Sequence, residues 1–224
     1  ATTTPDNNTG LGSYALSDNT TGANNTAVGR QALFANTTAS NNTAVGSYAL
    51  IANTTGHSNT SVGNDSMDSN TTGYANTAVG VDSLQNCTTA NNNVAVGRSA
   101  LYLNTTGFEN CFAGMNSGYY MSTGYRNTGF GQGAGSLTTT GHHNCSIGYD
   151  AQPSSATADN EMTLGDANTA TLRCNDQSIG SLSDARDKTD IVNLAYGLDF
   201  INQTRPVTFK WETRDGNVKD GETH

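Results

Sequence analysis

The apolar positions of this chain do not recur at a helical spacing. They recur every seventeen residues. Asn8, Asn25, Asn42, Asn59, Asn76, Asn93, Asn110, Asn127 and Asn144 are each 17 residues apart, and a glycine stands four residues after every one, from Gly12 to Gly148. Just before each glycine lies an apolar residue: Leu11, Val28, Val45, Val62, Val79, Val96, Ala113, Phe130 or Ile147. Four residues after the glycine come Leu16, Leu33, Leu50, Met67, Leu84 and Leu101, and then Gly118 and Gly135. A second turn signal closes most units, as in Asn19-Thr-Thr-Gly22 and Asn53-Thr-Thr-Gly56. The consensus is N-T-A-V-G-x-x-A-L-x-x-N-T-T-G-x-x.

Seventeen residues are too few for a helical-pair repeat or a propeller blade. They suit one coil of a parallel β-solenoid or β-roll, and the fold class is all-β. A short Thr/Val strand enters, the glycine permits a tight corner, Ala-Leu points inward and N-T-T-G turns the chain back. Alternatively, G-x-x-A-L forms a single helical turn. Stacked at the strand spacing of ~4.8 Å, nine coils rise ~43 Å. In-register stacking predicts asparagine ladders and two inward columns, one of Val28, Val45, Val62, Val79 and Val96 and one of the leucines. A coil offers about one Val, one Leu and two Ala, a small return against ordering seventeen residues. That imbalance predicts a fibrous parallel homotrimer whose chains bury apolar columns against one another.

Composition supports this reading. The 224 residues include 34 Thr, 28 Asn and 25 Gly, and only 34% are hydrophobic, which argues against an enzyme with a large aliphatic core. No apolar run approaches the ~20 residues of a membrane helix, no signal peptide is visible, and membrane insertion is not expected. A net charge of −9 disfavours a nucleic-acid partner, whose binding footprint is basic. Residues 1–150 hold 10 charged side chains and residues 151–224 hold 19. The expected organisation is a shaft over 1–150, a neck and linker over 151–182 containing strand segments between Glu161 and Cys174, and a different domain over 183–224.

Candidate chemistry in the repeats is sparse. Cys87, Cys111, Cys145 and Cys174 contain no C-x-x-C, and Cys111 and Cys145 fall two coils apart, beyond the ~7 Å reach of a disulfide. They read as free thiols. His142-His143 reads as a surface turn, and no metal or cofactor is expected. The sequons at Asn19, Asn36, Asn53, Asn70, Asn86 and Asn104 are glycan sites only in a secretory eukaryotic setting; ladder and turn chemistry accounts for them otherwise. Residues 110–130 are enriched in aromatics and Met (Phe112, Met115, Tyr119, Tyr120, Met121, Tyr125, Phe130), which reads either as a ligand-contact surface or as a core repacked around the missing leucines. Asp65, Asp68 and Asp82 form a stripe that reads as a solvated face rather than the carboxylate pair of a glycosidase.

The last segment carries the most specific motifs. Ser181-Leu-Ser-Asp-Ala-Arg-Asp-Lys-Thr-Asp-Ile191 is followed by Asn193-Leu-Ala-Tyr-Gly-Leu-Asp-Phe-Ile201 and Arg205-Pro-Val-Thr-Phe-Lys-Trp211. Over about residues 161–224 the chain resembles the start of the intramolecular chaperone auto-processing domain that ends phage tail fibres and tailspikes, including endosialidases. The shared features are S-D-x-R-x-K, a helix of type L-x-x-G-L-x-F-I and a P-V-x-F-x-W strand. The N-T-A-V-G repeats are similar to those upstream of such tails and, more distantly, to the β-roll heads of trimeric autotransporter adhesins. The resemblance implies an α+β domain, begun here, that trimerises, sets the fibre in register and then cuts itself off. It places a nucleophile at Ser183 and a lysine base at Lys188, with Asp184 and Arg186 orienting the turn. A lysine serves as a base only when neutral, so burial must lower its pKa. Taken alone, the same stretch is a polar helix start with Ser183 as cap and Asp184 at the dipole.

The expected function is therefore a structural and adhesive fibre of a virion or other extracellular appendage. Its partners would be two further copies of the chain, other fibre or tail proteins, and a host cell-surface glycan or protein receptor. The only catalysis expected is autoproteolysis. The alternatives are a glycan-degrading tailspike and a cell-surface filament adhesin, with or without glycosylation.

Overall fold

The structure, a computed structural model, describes residues 7–171. They form one parallel sheet of ten three-residue strands in sequence order: β1 (Thr9–Leu11), β2 (Thr26–Val28), β3 (Thr43–Val45), β4 (Thr60–Val62), β5 (Thr77–Val79), β6 (Val94–Val96), β7 (Cys111–Ala113), β8 (Thr128–Phe130), β9 (Cys145–Ile147) and β10 (Met162–Leu164). Each strand pairs with the residue seventeen places on, so that Thr26 lies over Thr43, Ala27 over Ala44 and Val28 over Val45. The parallel solenoid is as expected. Its stacking continues beyond Asp150, because Met162–Leu164 pairs with Cys145–Ile147 in the same register.

One of the two expected inward columns is reversed. Leu33, Leu50, Met67, Leu84 and Leu101 are fully buried, as are the alanines at the strand centres, Ala27, Ala44, Ala78 and Ala95. The valines are not. Val28, Val45, Val62 and Val79 are half-buried, and Val96 is 39% exposed. The reason is the two-residue period of a strand. In Thr-Ala-Val, the alanine fills the narrow interior, so the threonine and valine on either side must point outward.

The turn that follows each strand is not helical. Leu33, Leu50, Leu84 and Leu101 have left-handed φ values of 50°, 53°, 49° and 52°, a conformation that costs an ordinary residue about 1–2 kcal/mol. The alternation of left- and right-handed residues aims successive N–H groups along the stack in both directions. The Gln31 N–H (φ 57°) donates to the Ser13 carbonyl of the preceding coil at 2.8 Å, and the Leu33 N–H to the Ala49 carbonyl of the next at 3.0 Å. The turn thus continues the inter-coil ladder while delivering each leucine to the core. The corner glycine is required for a steric reason: a Cβ on Gly46 would lie 2.2 Å from the Gly63 carbonyl oxygen.

One asparagine ladder runs the length of the array, and a second runs along part of it. The Asn42 N–H donates to Oδ1 of Asn25 at 3.0 Å, while Nδ2 of Asn25 closes its own coil on the Ala39 carbonyl at 2.8 Å. The same pair of bonds recurs along the array to Asn144, whose Oδ1 accepts from the Glu161 N–H at 3.0 Å. An asparagine fills both roles because it carries an acceptor and a donor on one short side chain. The second ladder runs through the N-T-T-G turns: Asn70 Nδ2 donates to Asn53 Oδ1 at 2.8 Å, and Asn53 Nδ2 to Asn36 Oδ1 at 2.9 Å.

Candidate functional site

The outward strand face is the first candidate. Of the twenty side chains on it, ten before the strand centre and ten after, none is charged. The position after the centre is apolar in every strand, and the face grows more apolar toward the C-terminal coils, where Val94, Val96, Phe130, Ile147, Met162 and Leu164 are all exposed. Cys111 and Cys145 lie on this face as free, half-buried thiols, as the spacing predicted. Every charged side chain among the described residues lies elsewhere on the coil. Cys87 is different: it replaces a ladder asparagine, lies fully buried, and burial pushes its thiol up to about 12, so it stays unreactive.

The aromatic-rich coils divide between core and surface. Phe112 takes the place of a strand-centre alanine and is buried, as is Met121. The ring of Phe112 fills volume that the leucine column vacates: a Cβ on Gly118 or on Gly135 would lie 2.9 Å from it. Core repacking therefore explains Phe112 and Met121. Tyr119, Tyr120, Tyr125, Met115 and Phe130 lie outside the core.

Two tracks of stacked rings climb the outside. Phe108, Tyr125 and His142 stack at 5.0 and 4.6 Å, and His142 Nδ1 meets Asp159 Oδ1 at 2.6 Å. On the other track, Tyr102 stacks on Tyr119 at 5.0 Å with 5° between the ring planes, and Tyr120 meets Tyr119 edge-on at 4.9 Å. Beside Tyr119 opens a groove of about 400 Å³ walled by Arg98, Asn116, Tyr120 and Ser136. A smaller hollow of about 200 Å³ shares Asn116 and Ser136 and reaches Tyr149 and Asp150. The sequence signal for the groove is the break in the run Tyr102, Tyr119, Ser136, a comparison along one coil position that the aromatic content of 110–130 does not reveal.

Asp65, Asp68 and Asp82 share one face of adjacent coils. Partial burial raises the Asp68 carboxyl, with smaller contributions from Asp65 and Asp82, while hydrogen bonds from Ser69 and Gln85 oppose the shift. Among the described residues no group of three His, Cys, Asp or Glu side chains could hold a metal ion. Of the sequon asparagines, Asn36, Asn53, Asn70 and Asn104 have no exposed surface, and each donates Nδ2 to a backbone carbonyl within its own turn. The side-chain nitrogen a glycan would need is therefore already committed.

Ser183, Asp184, Arg186 and Lys188 lie outside the described residues. Their segment is instead reached by comparison. Residues 183–224 match the family described as chaperone of endosialidase. The match begins at Ser183 and bears out the resemblance read from the motifs S-D-x-R-x-K and P-V-x-F-x-W. The chaperone segment thus follows a parallel solenoid of seventeen-residue coils on one chain. No curated protein and no solved structure matches the chain.

Proposed function

We propose that the chain is the shaft of a trimeric fibre of the phage tail-fibre or tailspike type, with segment 183–224 belonging to the chaperone that assembles it. The observation that carries this reading is the uncharged outer strand face. An apolar strip that spans every coil of the stack marks an interaction surface. Whatever covers it must present a straight, uncharged surface repeating at ~4.8 Å over ~43 Å. A parallel copy of the same chain does so, and three copies closing around an axis leave no face open. The chaperone match supports the same conclusion from the other end of the chain.

The chaperone's task follows from the repeats. A slip of one whole coil still pairs Asn with Asn and Val with Val, so the array alone specifies register weakly. A terminal domain that joins three chains before the coils zip would set them level. Ser183 as nucleophile and Lys188 as base would then release that domain, leaving the fibre kinetically trapped. Attachment to a surface glycan or protein receptor is the use such a fibre would serve.

Thiol cross-linking tests the interface. With Cys87 and Cys174 replaced by serine in the full chain, a short bismaleimide should join Cys111 to Cys111 and Cys145 to Cys145, giving peptide pairs that can arise only between chains. Native mass spectrometry should give three chains. A monomeric mass, or Cys111–Cys145 pairs alone, would overturn the parallel, in-register trimer. Ser183→Ala and Lys188→Ala in the complete gene should each leave an uncut precursor, and normal processing of either would remove the dyad.

A further inference from the structure

The groove beside Tyr119 lies where a track of rings stops. Tyr102 covers one face of the Tyr119 ring. In the next coil the equivalent residue is Ser136, and Gly133 stands where other coils carry Asp65, Asp82 or Asp150. Ser136 puts a small residue in the groove wall where a third ring would stack on Tyr119, and Gly133 lines the adjoining hollow. Gln152 ties together the lining of that hollow: its Nε2 donates to the Gly133 carbonyl at 2.6 Å, to Asp150 Oδ1 at 2.9 Å and to Ser136 Oγ at 3.0 Å.

We propose that a pyranose ring of a polysaccharide occupies the place of this missing ring. The groove has the volume of a small-molecule site, yet neither hollow has an aliphatic side chain among its lining residues. The apolar surface they offer is that of tyrosine rings, set among polar groups. A sugar presents a C–H face to the Tyr119 ring and hydroxyls at its rim. Those hydroxyls can both donate and accept, as the walls require: the Asn116 amide does both, Arg98 only donates and Asp150 only accepts when ionised. Taken together, the groove and the adjoining hollow run from Arg98 to Asp150, three coil steps or ~14 Å at the strand spacing, which fits an internal stretch of a polymer rather than a single sugar. It uses different coil positions from the uncharged strand face. The proposal draws on the fibre reading only for its setting, an external glycan, because the groove is built within one chain.

The test uses the full-length chain on an array of immobilised oligosaccharides with neutral, N-acetylated and uronic-acid pyranoses, with native mass measured on the same samples. The wild type should bind at least one of these classes. Tyr119→Ala, which removes the platform, and Ser136→Tyr, which supplies the missing ring, should each weaken binding about tenfold or more. Tyr74→Ala alters an exposed tyrosine that stacks on His57, outside both hollows, and should leave binding unchanged. Absence of binding at millimolar saccharide, or affinity indifferent to both groove variants, would overturn the proposal. A monomeric mass with groove-dependent binding would instead sink the trimer and leave the glycan site standing.

Discussion

The ring of Phe112 occupies the space that a methyl group on Gly129 would need: an added Cβ there would lie 2.4 Å from Cδ1 and Cε1 of the ring. The two residues stand at the same coil position in adjacent strands, where four other strands carry alanine. One coil has taken a large side chain, and its neighbour has given up even a small one. Phe112→Ala should therefore cost about 3–5 kcal/mol through the cavity it leaves, and Gly129→Ala about 1–3 kcal/mol or more through overpacking. The double variant should be less destabilised than the sum, with a coupling of roughly 0.5–3 kcal/mol. Thermal or denaturant unfolding of the four proteins measures that coupling, and strict additivity would show that the two sites do not share the space.

Much of this architecture is legible in the sequence because the chemistry repeats. Nine asparagines and nine glycines in phase fix the coil length, and a position that must supply an amide donor and acceptor reads as a ladder from residue type alone. The facing of the valines is less legible. A three-residue strand of Thr-Ala-Val buries one side chain, and apolar character alone favours valine over alanine. Only the narrowness of the coil, whose other wall already brings leucine inward, settles that alanine is the one that fits. The groove and its adjoining hollow are harder still, because their lining includes two small residues, Ser136 and Gly133, whose meaning depends on what neighbouring coils carry at the same positions.

The second asparagine ladder predicts that one residue type at one coil position can have two different worths. Asn53 donates to Asn36 Oδ1 and to the Gly56 carbonyl, and its own Oδ1 accepts from Asn70. Asn104 donates to the Gly107 carbonyl, but its buried Oδ1 has no partner. The reason is that the next coil carries Met121, which has no donor to offer. Asn53→Ala should cost about 1–3 kcal/mol by stranding buried polar groups. Asn104→Ala removes an unsatisfied atom along with its one bond and should cost clearly less. Equal losses in unfolding midpoint would mean that the ladder bonds do not set the difference.

Asp68 predicts a pH dependence. Burial raises its carboxyl pKa in the folded chain. A carboxyl with a raised folded-state pKa weakens the fold once it is ionised, so its penalty is absent in acid and sets in as pH rises through the carboxylate range. Asp68→Asn keeps the shape without the charge. It should raise the unfolding midpoint at neutral pH, and the gain should shrink to nothing in acid, where the wild-type carboxyl is protonated. A gain that is the same at both pH values would assign the effect to something other than ionisation.

Val62 and Asp65 make the sharpest comparison for the uncharged face. They lie three residues apart on the same coil, both partly buried, Val62 on the outer strand face and Asp65 on the turn beyond the corner glycine. In an isolated chain Val62→Asp places a charge on a partly exposed surface, where substitutions usually change stability by no more than about 0.5 kcal/mol. In a parallel trimer closed through this face, the same change sets three carboxylates at one height around an axis, without counter-charges on the strand face to pair them. The expected result is loss of the trimer in native mass spectrometry with Val62→Asp, while Asp65→Lys, a larger change in charge, leaves the trimer intact. The defect should ease in acid, where the introduced carboxylates take up protons and their repulsion ends. If Val62→Asp stays trimeric at neutral pH and low salt, the copies do not meet through this face.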